Sequence, residues 1–124
     1  WDALSLLLKW RSTLAVYEPE YTRHFLKDLK GYPSLKKRIA DEIQAILNDP
    51  YATSELLAKK RVDWRGKRSQ RVTRNFRIIF TVCEECQKRG FKKKGYNACE
   101  GCADISAAKS VVFLAFGPHN VYEN

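Results

Sequence analysis

The chain has 124 residues, 44% of them hydrophobic, which is enough for one compact core and too little for two domains. It carries 23 lysines and arginines against 14 aspartates and glutamates, and this net charge of +9 indicates a polyanionic partner such as nucleic acid. No apolar run approaches the ~20 residues that cross a bilayer, so the sequence predicts a soluble, cytoplasmic protein with no membrane partner.

The first half of the chain is predicted to contain helices around one short strand. Residues 1–13 have the apolar spacing of an amphipathic helix and form a predicted N-terminal extension. Leu14 to Tyr17 is a predicted first strand, and Glu18-Pro19-Glu20 has the proline and the acids typical of a helix start. That helix would end at Gly31. A second helix from Pro33 to Asn48 would complete a helix hairpin.

The second half alternates as antiparallel strands do. Arg68 to Val72 and Phe76 to Cys83 are a predicted strand pair across a short turn, and Val111 to Phe116 is a further strand. The expected fold class is therefore α+β, with an N-terminal strand and a helix hairpin packed on an antiparallel sheet. Nine basic residues and one acid lie between positions 59 and 77. Strand alternation would place several of them on one face, which favours a binding surface.

The four cysteines form two C-x2-C pairs separated by twelve residues: Cys83, Cys86, Cys99 and Cys102. Each pair can present two thiolates, and four thiolates complete the tetrahedron of a structural zinc site. Disulfides are less favoured because they would close very little chain, and a redox C-x2-C would leave the second pair unexplained. The sequence predicts structural Zn²⁺ in a loop at 83–102, between the last two strands. This loop would hold Lys92 and Lys93 against RNA.

Three segments, in this order, resemble the RelE/ParE toxin superfamily: YTRHFLKDLKGYPSLKKRIADEIQAILNDP, RVTRNFRIIFTV and VVFLAFGPHNVYEN. The resemblance implies a RelE-like toxin domain at 14–124, into which the zinc-binding loop at 83–102 is inserted. It also implies a toxin of a type II toxin–antitoxin system with a cognate antitoxin as partner. RelE-type members cleave mRNA, usually on the ribosome, and no small-molecule cofactor is expected. The zinc loop and residues 1–13 depart from the family pattern.

RNA cleavage without metal needs a base for the 2′-hydroxyl proton, cations for the phosphorane and an acid for the leaving 5′-oxygen. By position in the family pattern, the resemblance implies catalytic roles for Arg71, as phosphate stabiliser, and for Arg77. It matches His119 and Tyr122 to the pair that follows the last strand. His119 is the preferred acid or base because an imidazole titrates near neutral pH. The RNA backbone would be held by Lys67, Arg68 and Arg74.

Two other functions remain open. A ParE-like toxin would inhibit DNA gyrase without nuclease activity, and a non-catalytic RNA-binding zinc module would grip phosphates only. Arg77 also has an alternative role, because it could pair with a helix acid such as Asp28 or Glu42. His24 is expected to be a surface or packing residue.

Overall fold

The computed structural model describes residues 17–57, 65–90, 94 and 109–118. Within these ranges the element order is β1 (Glu18–Tyr21), α1 (Arg23–Lys30), a 3-10 turn (Pro33–Leu35), α2 (Lys36–Asn48), β2 (Glu55–Leu56), β3 (Arg68–Arg71), β4 (Phe76–Val82), α3 (Cys83–Arg89) and β5 (Ser110–Pro118). The predicted N-terminal extension, 1–13, lies outside the described residues. None of the described helices has the length and apolar character needed to span a membrane.

The five strands form one sheet in the order β1-β5-β4-β3-β2. The α+β prediction is confirmed, but the sheet is mixed rather than wholly antiparallel, because β1 runs parallel to β5 while the other neighbours are antiparallel. A parallel pair needs a long crossover connection, and here that connection is everything between Tyr21 and Ser110. Local alternation of residue types carries no information about such a distant partner.

The predicted helix start at Glu18 is wrong, because residues 18–21 form the edge strand β1. Proline is compatible with this position since β1 is an edge strand of the described sheet, where a missing N–H is tolerated. The helix begins later, where the Thr22 side chain accepts the backbone N–H of Phe25 as an N-cap. It ends at Gly31, as predicted.

Thr22 joins α1 to the sheet as well as capping the helix. Its hydroxyl donates to the carbonyl of Phe113 in β5 at 2.8 Å while accepting from Phe25 at 3.2 Å. We expect Thr22→Ala to lower the free energy of unfolding by about 1–2 kcal/mol, as measured by urea denaturation, because both bonds are lost. Thr22→Ser is the matched control, since serine keeps the hydroxyl. Equal stability of the two variants would contradict the assignment.

The core lies between helices α1 and α2 and one face of the sheet. The predicted apolar face of α2 is buried at Ile39, Ile43, Ile46 and Leu47. Aromatic rings connect the helices to the sheet, with Phe25 of α1 and Phe113 of β5 5.4 Å apart. The buried cluster contains Tyr17, Phe25, Leu29, Ile39, Ala40, Ile43, Ile46, Leu47, Ile78, Phe80, Val82, Val111, Phe113 and Phe116.

The strand pairing determines which side chains share the other face of the sheet. Ile78, Phe80 and Val82 of β4 belong to the core under the helices. The alternate residues, including Arg77 and Ile79, therefore point to the opposite side, which is the outer face. The sequence predicted this division of β4, and it places the arginines of the site.

Candidate functional site

Two predicted catalytic arginines lie side by side on the outer face. Arg71, the last residue of β3, is paired directly with Arg77 near the start of β4. Side chains of directly opposed residues project to the same side, with Cβ atoms about 4.5–5.5 Å apart. On the other side of β4, Arg77 is paired with Gly117 of β5. Arg71, Arg77 and Gly117 thus form one row across three strands, and we call the two arginines the arginine pair.

The arginine pair is electrostatically unfavourable in isolation. Like charges directly opposite each other destabilise a sheet. In addition, Nε of Arg77 is buried and has no hydrogen-bond partner among the residues that the structure describes. A buried donor left unsatisfied costs about 1–3 kcal/mol. An anion bound to the pair would relieve both costs, so the arrangement is suited to a phosphate group.

The alternative partners of Arg77 are engaged elsewhere. Asp28 Oδ2 accepts the backbone N–H of Phe116 at 3.1 Å, and Glu42 Oε2 accepts from Gln70 Nε2 at 3.0 Å. The alternative prediction that Arg77 pairs with one of these helix acids is therefore wrong, since Arg77 projects from the sheet face away from both helices.

The predicted C-terminal residues follow the described end of β5. Pro118, its last residue, is paired with Phe76, the neighbour of Arg77. His119 and Tyr122 come next in the sequence and lie outside the described residues, so their roles stay predictions. The described part of β5 nevertheless ends beside the arginine pair.

The predicted RNA-binding residues that the structure describes do not lie together. Arg74 is exposed in the turn between β3 and β4, at the same end of the hairpin as Arg71. Lys67 precedes β3, four residues from Arg71, which is about 13 Å along a strand. Lys92 and Lys93 fall outside the described ranges.

Arg68 is held in a bidentate ion pair. Its Nε donates to Glu85 Oε1 at 2.9 Å and its Nη2 to Glu85 Oε2 at 2.7 Å, while Nη1 lies 3.2 Å from Ser54 Oγ. The guanidinium also lies over the ring of Tyr51, 4.8 Å from its centroid. Only 12% of the Arg68 side chain and 5% of the Glu85 side chain are exposed. This geometry places Arg68 on the helix side of the sheet, where it anchors α3.

A second polar cluster on α3 is centred on Glu84. Oε1 of Glu84 accepts the hydroxyls of Tyr17 and of Tyr51, the latter at 2.9 Å, and Oε2 lies 3.3 Å from Lys109 Nζ. Burial, followed by the hydrogen bond to Glu84, raises the pKa of Tyr17 to about 12 and also raises the pKa of Tyr51. Burial opposes ionisation of Glu84, but the bonds from the two phenols and Lys109 outweigh it and lower the Glu84 pKa. No sequence pattern links these distant residues.

The first cysteine pair lies on a helix instead of in the predicted loop. Cys83 and Cys86 are in α3, which follows β4 directly and ends at Gly90, a left-handed residue with φ of 67°. Residues three apart share one face of a helix, and both cysteines are buried, at 3% and 1% exposure. Within the described ranges no group of three or more possible ligands is arranged around a metal. Cys99 and Cys102 lie outside those ranges.

Comparison with known proteins supports the fold. No protein-family model matches the chain, and no curated protein matches its sequence. Among solved structures the chain is similar to YafQ from E. coli strain BL21(DE3), with a TM-score of 0.55 and 14% identity. The similarity covers 87% of this chain and 99% of that chain. At this identity it establishes a shared fold.

Proposed function

We propose that this protein is the endoribonuclease toxin of a type II toxin–antitoxin system and cleaves mRNA, on the ribosome, by attack of the 2′-hydroxyl. The observation that carries the proposal is the arginine pair, Arg71 and Arg77, on the outer face beside the end of β5. The similarity to YafQ supports it, because this is the fold that the resemblance to the RelE/ParE superfamily implies.

In the proposed reaction the arginine pair binds the scissile phosphate and stabilises the charge of the phosphorane. The 2′-oxygen loses its proton to a base and attacks phosphorus, and the bond to the 5′-oxygen breaks as an acid protonates that oxygen. The products are a 2′,3′-cyclic phosphate and a 5′-hydroxyl. DNA lacks the nucleophile and is not a substrate.

His119 is the proposed acid or base, with Tyr122 stacking on a base or sharing the proton transfer. The support is position in the sequence: His119 directly follows Pro118, which is paired with the neighbour of Arg77. The antitoxin is proposed to inhibit the enzyme by binding the toxin.

The test is to add the purified protein to translating ribosomes and map the ends of the message. We expect new 5′-hydroxyl ends and matching cyclic phosphates, and none on a message with 2′-O-methyl groups at the cut sites. DNA supercoiling by gyrase, assayed in parallel, should be unaffected. Intact message with inhibited supercoiling would support the ParE-like alternative, and RNA binding without either effect would leave the non-catalytic module.

The zinc site is a separate proposal about structure. Cys83 and Cys86 offer two thiols on one face of α3, and Cys99 with Cys102 completes a four-thiolate set by sequence spacing. Bound Zn²⁺ would tie the segment between α3 and β5 to α3 and position Lys92 and Lys93 for RNA. Glu84 and Glu85 anchor the same helix to the rest of the fold.

We expect about one equivalent of zinc per chain in freshly purified protein. Cys99→Ser should lose it without disturbing the buried pair in α3, whereas Ser106→Ala, in the same segment, should keep it. Metal content is measured by atomic emission, and thiols are titrated before and after chelation. If intact mass shows two disulfides and no metal is found, the four cysteines form disulfide bonds and do not bind zinc.

A further inference from the structure

Strand β5 is longer than its neighbour β1, and beyond Phe113 this edge of β5 pairs with no strand among the described residues. The pairing between β1 and β5 stops at Phe113, and the chain turns at Thr22 into α1, while β5 continues to Pro118. On this edge the amide of Phe116 donates to Asp28 of α1 instead of to a strand. A cleft of about 540 Å³ lies between this edge of β5 and helix α1.

The cleft joins the outer face to α1. Its walls include Ile79, Ala115 and Gly117, which share the outer face with Arg77, and also His24 and Lys27 of the helix. Gly117 is at once a wall of the cleft and the residue paired with Arg77. A chain that has its phosphate on the arginine pair can therefore continue round the edge of β5 into the cleft.

Helix α1 carries a basic stripe beside the cleft, and Lys27 of this stripe lines the cleft itself. Arg23, Lys27 and Lys30 are exposed and occur at i, i+4 and i+7, so they form one stripe along α1. Asp28 is the single acid of this helix, and its carboxylate is held by Phe116 and by His24 Nε2 at 3.2 Å. His24 itself is 70% exposed, as expected for a surface residue. Three cations in one row are spaced for a strand of phosphates.

We propose that the cleft and the basic stripe of α1 bind the single-stranded RNA that flanks the scissile phosphate. The inference rests on the proposed function. The strand passes from the arginine pair over Gly117 into the cleft, and the stripe neutralises the phosphates beyond it. RNA fits better than a protein partner because the cleft is continuous with the arginine pair and the three exposed charges of the stripe beside it are all positive.

The test measures RNA binding without cleavage. A single-stranded RNA carrying 2′-O-methyl groups is titrated by fluorescence anisotropy over a series of salt concentrations. Each phosphate contact on a single strand contributes about 0.7 to the slope of log K against log salt. We expect Lys27→Gln/Lys30→Gln to lower the slope by about 1.4 relative to the wild type. The matched control, Lys37→Gln/Arg38→Gln, removes two exposed cations from α2 outside the cleft and should keep the slope.

Equal slopes for the wild type and the α1 variant, or equal losses in both variants, would overturn the inference. Both variants are checked for an unchanged melting temperature, and Arg23→Gln/Lys27→Gln serves as a second α1 variant if the first unfolds. Message cleavage is scored separately. If the α1 variant alone lowers the salt slope but the wild type cleaves no message, the proposed RNA path stands and the proposed endoribonuclease activity is refuted. If the wild type cleaves message but the α1 variant keeps the wild-type slope, only the proposed RNA path is refuted.

Discussion

Replacing Arg77 with alanine is expected to lower the rate of message cleavage by about 100- to 1000-fold. This is the size of effect seen when one preorganised donor to a transition-state charge is removed. Arg77 fits that description because Nε is buried and has no protein hydrogen-bond partner among the described residues. Arg71→Ala should also lower the rate, but less, because its side chain is exposed and less fixed. Rates are measured on translating ribosomes at saturating protein.

The stability of the Arg77 variant distinguishes catalysis from structure. If Arg77 only supported the sheet, its removal would destabilise the protein. Because it is paired with Arg71 and has an unsatisfied donor, we expect Arg77→Ala to be as stable as the wild type or slightly more so. Arg77→Lys should recover part of the activity, since charge returns without the planar fork. Arg38→Ala on α2 is the exposed control and should cleave normally.

Removing Glu85 is expected to have the largest effect on stability. Glu85→Ala leaves the guanidinium of Arg68 charged and largely buried, and breaking a buried pair in this way costs about 3–5 kcal/mol. The loss is measured by urea unfolding followed by circular dichroism. Glu55→Ala, on the exposed edge strand β2, should change the unfolding free energy by less than about 0.5 kcal/mol.

The double variant Arg68→Met/Glu85→Leu tests the reason for that loss. Replacing both charges by apolar side chains of similar size is often close to neutral, because no lone charge is left. We expect the double variant to be more stable than Glu85→Ala. If the double variant loses as much unfolding free energy as Glu85→Ala, or more, the loss comes mainly from the missing ion pair and not from the unpaired charge of Arg68. In that case α3 depends on the pair for its position.

Part of the site was predictable because its signals are local. The short turn at 73–75 and the alternation of β4 predicted a strand pair with several basic residues on one face, and the register places Arg71 directly opposite Arg77. The role of Arg68 was not predictable in the same way. It lies in the same basic segment as Arg71, but its face of β3 is turned toward Glu85, seventeen residues later in the sequence.

Periodicity in the sequence, with Gly31 as a helix end, determined the helix hairpin, the buried face of α2 and the strand pair β3–β4, since each depends on residues a few positions apart. Only the tertiary structure decided that Glu18–Tyr21 is a strand parallel to β5, that Glu84 joins Tyr17 to Tyr51, and that β5 leaves a cleft beside α1. The physical reason is distance along the chain. A strand's direction and a carboxylate's partner depend on which remote segment packs against them, and a local pattern of residue types does not contain that information.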